Sequence, residues 1–247
     1  MAVNMDKIRA RYEALNSKGG SNFWKPKDGE TDIRILPPPG EDPFVDFYLH
    51  YNVGNVPGFL CPKRNFGEDC PVCNFANSLY NEGDEDSTKL AKQLFPRQRL
   101  YTSVLVRGES ETPKIWSFGK TAYENMIELF LNKDYGDLSD AETGTDLTIR
   151  YGKAPGMRFP STTITPRRKS SPMLDDMSKA SVVLEAYPDL HSIHQKKSAD
   201  EVRVILETFL DGSDVAAENN SSETVQYGKS DKSAEDVLNA KLDQLAE

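Results

Sequence analysis

Three cysteines lie within thirteen residues of this chain, and this spacing constrains the fold more than the overall composition does. They are Cys61, Cys70 and Cys73, and the last two form a Cys-Pro-Val-Cys turn. Thiolates and a neutral imidazole bind zinc tetrahedrally, and a C-x2-C turn supplies two ligands together. With His50 as the fourth ligand, the pattern predicts one structural Zn²⁺ ion. That ion would hold segment 52–73, which is rich in Gly, Pro and Asn and too long for an ordinary loop.

The sequence leaves two alternatives to this ligand set open. His191 and His194 are the other histidines of the chain and could compete with His50. Alternatively, Cys70 and Cys73 could form a redox pair and leave Cys61 as a free thiol.

The same residues argue against an enzyme. A site with four protein ligands leaves no open position for water, so it stabilises rather than catalyses. A zinc deaminase needs a glutamate two residues after the histidine, and that position is Asn52. The sequence also lacks H-E-x-x-H, P-loop and G-x-S-x-G motifs. We therefore predict no catalytic residue.

Charge is distributed unevenly along the chain. The net charge is -9, which is unusual for a protein that binds nucleic acid. Between residues 150 and 169, however, there are six bases and no acid, and a local positive field of this kind can hold phosphates. This block consists of Arg150, Lys153, Arg158, Arg167, Arg168 and Lys169, with the rings of Tyr151 and Phe159 among them.

Aromatic and basic residues also alternate in two earlier regions. Proteins that bind single strands use basic side chains along the phosphate backbone and aromatic rings that stack on nucleobases. This stacking is worth about 1 to 3 kcal/mol per nucleobase. For each aromatic residue the alternative is packing in the core. For each basic residue the alternative is a position on an ordinary solvated surface. The candidates are Arg97, Arg99, Tyr101, Trp116, Phe118 and Lys120 in one region, and Lys63, Arg64, Phe66 and Tyr80 around the cysteines.

Hydrophobic patterning predicts an α+β chain in three parts. Residues 1–20 form a basic helical arm with Lys7, Arg9 and Arg11, and residues 212–247 form a flexible acidic tail. Residues 21–211 form the core, with a zinc subdomain at about 50–95. Strands are expected at 31–36, 44–51, 99–107, 114–118, 146–151 and 157–165, and helices at 75–80, 121–131 and 198–210. Such short strands with interposed helices suit an OB-fold-like small β-barrel.

Several of these motifs together resemble a known family, the gene 32 single-stranded DNA-binding proteins of T-even bacteriophages. The resemblance is clear from about Met5 to Lys120 and fades in the second half. It rests on Asn16–Gly20, Ile33–Pro37, the His50, Cys61 and Cys70-Pro-Val-Cys73 array, Leu79-Tyr80-Asn81, the strand from Tyr101 to Val106, and Phe118-Gly119-Lys120.

The resemblance implies an OB-fold core with a zinc subdomain that coats single-stranded DNA. It also implies an N-terminal arm that contacts neighbouring protomers, and an acidic tail that recruits phage replication and recombination proteins. All four zinc ligands match the family, and Phe66, Tyr80 and Trp116 fall where the family places stacking rings. Arg97 and Arg99 fall in its basic strand. The compact Lys/Arg-Ser-Thr motif of the family's arm is absent, and Lys7, Arg9 and Arg11 stand in its place.

We therefore expect a non-enzymatic protein that binds single-stranded DNA in phage replication, recombination and repair. It is expected in the cytoplasm of the infected cell, because the sequence shows neither a signal peptide nor a membrane span. The alternative is a zinc-ribbon module for protein interaction, RNA binding or transcription. A zinc-dependent nuclease is a third class, which the absence of an open metal position disfavours.

Overall fold

The computed structural model describes residues 22–153, 155–157 and 159–211. The predicted arm with Lys7, Arg9 and Arg11, the residue Arg158, and the acidic tail 212–247 all lie outside the described residues. No helix in the described part is long and apolar enough to cross a membrane.

The described residues form a mixed α+β structure built on an eight-stranded sheet, which confirms the predicted fold class. The sheet runs in the order β1-β6-β5-β2-β7-β8, and β3 pairs with β4 and β5. Closure into an OB-type barrel stays a prediction. The strands are β1 (Phe23–Trp24), β2 (Gly29–Ile35), β3 (Val45–Val53), β4 (Val56–Leu60), β5 (Arg97–Val106), β6 (Lys114–Phe118), β7 (Thr145–Gly152) and β8 (Ser161–Ser170).

Six α-helices and two short 3-10 helices, Met177–Lys179 and Leu190–Ser192, complete the described structure. The α-helices are numbered in chain order. They are α1 (Pro62–Phe66), α2 (Pro71–Glu82), α3 (Glu85–Leu94), α4 (Lys120–Leu131), α5 (Ala180–Glu185) and α6 (Ala199–Leu210). Two expectations from the sequence need correction. Segment 52–73, expected to be irregular, contains β4 and α1. The last strand starts at Ser161 rather than Met157, because a turn that contains Gly156, with φ +80°, precedes it.

The chain divides into two compact units, and the first contains residues 22–45 and 101–190. Here β2 lies between two antiparallel neighbours, so that Ile33 pairs with Val106 on one side and Leu147 on the other. All three side chains are buried. Alternating apolar positions on these strands therefore produce a core, as their sequence pattern predicts.

A buried charged cluster lies within this first unit. Arg34 is fully buried and donates from Nε to Asp146 at 2.9 Å and from Nη2 to the carbonyl oxygen of Ser171 at 2.6 Å. Arg107 donates to the same carboxylate at 2.8 and 3.0 Å, and to the carbonyl oxygen of Met173 at 2.7 Å. Burial lowers the pKa of Arg34, and the charge of Asp146 opposes this effect. The cluster fixes the chain that follows β8.

The second unit contains residues 46–100 and 191–211. Its core is formed by the cysteines, the inner faces of α2 and α3, and Val202, Ile205 and Leu206 of α6. Gly54 lies in the β3–β4 turn with φ +58°, and a Cβ there would come within 2.7 Å of the carbonyl oxygen of Ile205. Only glycine therefore allows this hairpin turn to approach α6 so closely.

The domain boundaries predicted from the sequence stay predictions. The proposed zinc subdomain at about 50–95 lies inside the second unit, which also includes the helix α6. Because α6 follows the cysteines by more than a hundred residues, local pattern gave no reason to group them.

Candidate metal centre and nucleic-acid interface

The three cysteines and His50 converge on one buried point in the second unit. One ligand atom from each lies within 4.8 Å of all the others. His50 Nε2 is 3.4 Å from Cys70 Sγ and 3.6 Å from Cys73 Sγ, and Cys61 Sγ is 3.4 Å from Cys73 Sγ. Around a tetrahedral zinc ion these separations would be about 3.8 Å between sulfurs and about 3.6 Å between sulfur and nitrogen. The cluster could hold one metal ion.

The β3–β4 hairpin positions the first two of these groups. His50 is paired with Phe59 across the hairpin, and its ring lies 5.2 Å from the Phe59 ring. Immediately after β4, the backbone N–H of Cys61 donates to the carbonyl oxygen of Tyr48 at 2.8 Å. This hydrogen bond continues the ladder past the strand end and fixes Cys61 beside His50.

A repeated Cys-Pro pair positions the thiols at helix starts. Cys61 and Cys70 occupy the N-cap positions of α1 and α2, and a proline occupies the first helical position in each case. Proline suits that position because its missing N–H would be unpaired there anyway. Cys73 follows in the first turn of α2, and the N–H of Arg64 donates to Cys61 Sγ at 3.4 Å. Free backbone N–H groups at helix starts favour thiolate ligands.

Hydrogen bonding sets the orientation of the imidazole. His50 Nδ1 lies 2.7 Å from the carbonyl oxygen of Leu94, the last residue of α3. A carbonyl can only accept, so Nδ1 carries a proton, and Nε2 can present its lone pair to a metal ion once it is deprotonated. Metal-binding histidines commonly have such a backbone partner on the other ring nitrogen.

Hydrogen bonds within the cluster shift the pKa values of His50, Cys61 and Cys73. Burial lowers the pKa of His50, but hydrogen bonds with Cys61, Cys70 and the Leu94 carbonyl outweigh it and raise that pKa to about 9. Hydrogen bonds from Cys70 and Cys73 hold the pKa of the Cys61 thiol far below its usual range. The hydrogen bond with Cys61 raises the pKa of Cys73. A metal ion would replace the protons that these groups otherwise share.

The position of the other histidines resolves the competition for the fourth ligand. The cluster contains His50 rather than His191 or His194. The His194 ring packs edge-on against Phe47 at 5.3 Å, and burial lowers its pKa. The structure therefore groups His50 with the three cysteines, and metal binding by these four residues stays a prediction.

Basic and aromatic side chains surround this cluster on the surface of the same unit. Lys63 and Arg64 of α1 are exposed, and Phe66 is 42% exposed. Tyr80 of α2 is 51% exposed and packs edge-on against Phe95 at 6.1 Å. These four predicted residues are all accessible. An open pocket of about 420 Å³ lies here, lined by Lys63, Arg64, Cys73, Asn77, Phe95 and Pro96.

Arg97 and Arg99 begin β5 and flank Tyr51. Arg97 is exposed and Arg99 is half-buried. Burial raises the pKa of Tyr51, and the charges of Arg99 and Arg97 oppose this effect. Arg97 is therefore accessible at the surface and Arg99 is partly accessible, although Arg99 also hydrogen-bonds to Tyr51.

Three rings predicted to stack on nucleobases lie in the core of the first unit instead. Trp116 is 1% exposed and packs against Trp24 at 5.7 Å and Phe118 at 4.6 Å between ring centroids. Phe118 is 4% exposed and also packs against Phe44. Tyr101 is 3% exposed. A ring enclosed by other side chains offers no face to a base, so the stacking role predicted for these residues does not fit their burial.

The basic block of residues 150–169 is partly neutralised. Arg150 pairs with Glu30, and Arg167 pairs with Asp32. Because both carboxylates belong to β2, two of the six predicted bases have acidic partners that sequence proximity did not reveal. Among the remaining predicted residues, Lys153, Arg168, Lys169 and Lys120 are exposed, whereas Tyr151 and Phe159 are half-buried.

Sequence reasoning missed several residues at the surface near the cluster of His50 and the cysteines. Phe95 and Asn77 line the pocket, and Tyr48 has the Arg64 guanidinium over its ring at 5.6 Å. Lys196 lies over the ring of Phe66. A usable signal existed for one of them, since Phe95-Pro-Arg97 continues directly into the predicted basic strand. For Lys196 nothing in the local sequence indicated the contact.

Comparison with protein families places most of the chain within a known family. The profile of a family described as "gp32 DNA binding protein like" matches residues 27–210, about three quarters of the chain. A search of curated proteins finds none that matches significantly.

Proposed function

Because the chain belongs to the gp32 DNA-binding-protein-like family, we propose that it is a sequence-tolerant, non-enzymatic single-stranded DNA-binding protein. It coats and protects single strands during phage DNA replication, recombination and repair. The observation that carries the proposal is the grouping of exposed bases and rings around one Cys3His cluster. Lys63, Arg64, Phe66 and Tyr80 belong to the two helices that begin at Cys61 and Cys70.

The chemistry of this surface suits an unpaired strand. Arg64 and Lys63 supply positive charge for phosphates, and the half-exposed rings of Phe66 and Tyr80 supply faces for bases. Bases stack on aromatic rings whatever their identity, so binding of this type is tolerant of sequence. A duplex keeps its bases paired and stacked, and therefore cannot use the rings. This difference favours single-stranded over double-stranded DNA.

The metal ion in this proposal is zinc with a structural role. Three thiolates and one imidazole form a soft donor set that zinc prefers, and four protein ligands complete a tetrahedral shell. The ion would tie the hairpin to the starts of α1 and α2, and so hold the surface residues in place. With the shell complete, no position remains at which water could be activated, which supports a binding role.

The wider biology rests on the family and on residues outside the described structure. The arm with Lys7, Arg9 and Arg11 contacts neighbouring protomers and makes coating cooperative. The acidic tail 212–247 recruits phage replication and recombination proteins, and the protein acts in the cytoplasm of the infected host cell. The basic residues Lys120, Lys153, Arg158, Arg168 and Lys169 also bind phosphates in this proposal, with smaller contributions from Arg150 and Arg167, which have acidic partners.

Fluorescence anisotropy with labelled oligothymidine tests this function, with a duplex of equal length as the matched competitor. We expect tight binding to the single strand, weak binding to the duplex, and an affinity that falls steeply with salt. The slope of log affinity against log salt should be about -0.7 for each phosphate contacted. Equal affinity for both forms, or binding that ignores salt, would favour the zinc-ribbon alternative.

A further inference from the structure

Lys196 lies over an exposed ring beside the metal cluster although the two are distant in sequence. Its Nζ is 4.7 Å from the centroid of the Phe66 ring, and the same ammonium group pairs with the carboxylate of Glu68. The side chains of Lys196 and Glu68 are 47% and 49% exposed. Solvent, and therefore a ligand, can reach the whole arrangement.

We propose that Lys196 is a further phosphate-binding residue of the single-stranded DNA site, and that Glu68 forms an ion pair with its ammonium group when DNA is absent. This inference rests on the proposed function. It names a residue and an exchange of partners that neither the basic pattern nor the cysteine spacing indicates.

The surroundings of Phe66 make this position suitable for a strand. Helix α1 reads Pro-Lys-Arg-Asn-Phe, and so contributes two bases and no acid. Lys63 and Phe66 are three residues apart on this helix and therefore lie on the same face. Lys196 brings a cation to the ring from a different segment. A base stacked against Phe66 would then have positive charge nearby from two segments of the chain.

The ion pair with Glu68 is of the kind that exchanges readily. Both partners are half-exposed, and ion pairs between exposed side chains contribute little because water and salt screen them. A phosphate that replaces the carboxylate releases condensed counterions from the strand, which favours the exchange at low salt. The ring of Phe66 meanwhile keeps the ammonium group near the surface, because a cation is attracted to an aromatic face.

Glu68 has a definite effect on binding in this arrangement. As a carboxylate beside the site, it competes with phosphate for Lys196 and repels the strand. Neutralising Glu68 should therefore strengthen binding, whereas removing Lys196 should weaken it. Opposite effects from two partners of one ion pair are not expected of a pair that only stabilises the fold.

The test measures the salt dependence of oligothymidine binding by anisotropy for the full chain and three variants. Lys196→Ala should reduce the magnitude of the salt slope by about 0.7, so that over a tenfold rise in salt the parent loses about fivefold more affinity than the variant. Lys196→Arg should retain most of the slope. Glu68→Gln should bind more tightly than the parent at low salt.

Lys179→Ala is the matched control, because Lys179 also forms an exposed pair with a glutamate, Glu111, at 3.2 Å. This variant should bind as the parent does. A thermal melt of each variant establishes that the fold is retained, and Glu68→Gln keeps the proposal testable if Lys196→Ala fails to fold. If the parent binds with a steep slope while Lys196→Ala and Glu68→Gln match it, this inference is wrong and the proposed function stands. If the parent does not bind, the proposed function itself fails.

Discussion

His50 Nδ1 donates a hydrogen bond to the carbonyl oxygen of Leu94 over 2.7 Å, and this contact directs Nε2 toward the thiols. The two residues are 44 positions apart, so the end of α3 orients a side chain of β3. A backbone acceptor cannot be lost by mutation of its side chain, which makes this orientation robust. The candidate metal site therefore depends mainly on His50 and the three cysteines themselves.

Cys73→Ser should release the metal and destabilise the protein. Structural zinc contributes about 10 to 16 kcal/mol in isolated peptides, and loss of one ligand forfeits part of that. A loss of about 3 kcal/mol would lower the melting temperature by roughly 6 to 12 °C in a chain of this size. Metal analysis and a thermal melt measure both effects. Ser78→Ala, an exposed change on the same helix, is the control. A variant that keeps one zinc per chain and melts like the parent would contradict the structural site.

Zinc binding to the metal-free protein should release protons at neutral pH. In the absence of metal the pKa of His50 is raised to about 9 and that of Cys73 is raised further, so both groups hold protons at pH 7. Both must lose them to bind zinc, and we expect at least two protons released per ion. Above pH 9 the contribution of His50 should disappear. Calorimetry in buffers of different ionisation enthalpy counts these protons, and a count of zero at neutral pH would refute the ligand assignment.

Trp116→Ala should act on stability. The ring is 1% exposed and packed between Trp24 and Phe118. Truncation of a buried tryptophan to alanine costs about 3 to 5 kcal/mol through lost contacts and a cavity. Chemical denaturation should show this loss, whereas Leu131→Ala at a side chain that is 76% exposed should change stability by less than about 0.5 kcal/mol. Unchanged stability of Trp116→Ala would mean that the ring is not part of the core.

Tyr80→Ala should weaken binding to single strands and leave the fold intact. This ring is 51% exposed, and a stacked base is worth about 1 to 3 kcal/mol, which corresponds to roughly 5- to 150-fold in affinity. Tyr80→Phe keeps the ring and is the matched control, so its affinity should equal that of the parent. Anisotropy with oligothymidine separates the two variants. If both bind like the parent, Tyr80 does not stack on DNA.

Asp146→Asn should destabilise the first unit strongly. Its carboxylate neutralises the fully buried Arg34 and also accepts from Arg107. Removal of one partner of a buried ion pair costs about 3 to 5 kcal/mol, because the remaining charge stays buried without compensation. Glu109→Gln breaks the exposed pair with Lys114 and should cost less than about 1 kcal/mol. Equal denaturation midpoints for the two variants would show that the buried cluster is dispensable.

Features that depend on residues close together in the sequence could be predicted from the sequence alone. The Cys-Pro-Val-Cys spacing predicted that the thiols of Cys70 and Cys73 lie close together, because two ligands within one helical turn must be neighbours. The strand at residues 99–107 and the helices at 121–131 and 198–210 agree with β5, α4 and α6 to within about two residues. In α6 the buried residues Val202, Ile205 and Leu206 lie at the helical spacing of the apolar pattern.

Features that depend on distant partners could not be predicted in this way. Aromatic residues on a strand suit both a core and a binding surface, and the burial of Trp116 depends on Trp24, which is far away in sequence. Arg150 and Arg167 belong to a stretch without acids, yet Glu30 and Asp32 of β2 neutralise them across the sheet. The contact of Lys196 with Phe66 likewise depends on tertiary structure.

The central claim is that a metal centre holds an accessible DNA-binding surface in place, and one titration tests it most directly. Oligothymidine binding is measured by anisotropy for zinc-loaded protein, for protein stripped by a chelator, and for stripped protein after zinc is restored. We expect removal of zinc to weaken binding more than about tenfold, since the rings of Phe66 and Tyr80 lose their fixed positions, and we expect restored zinc to recover it. Equal affinity in all three states would contradict the account.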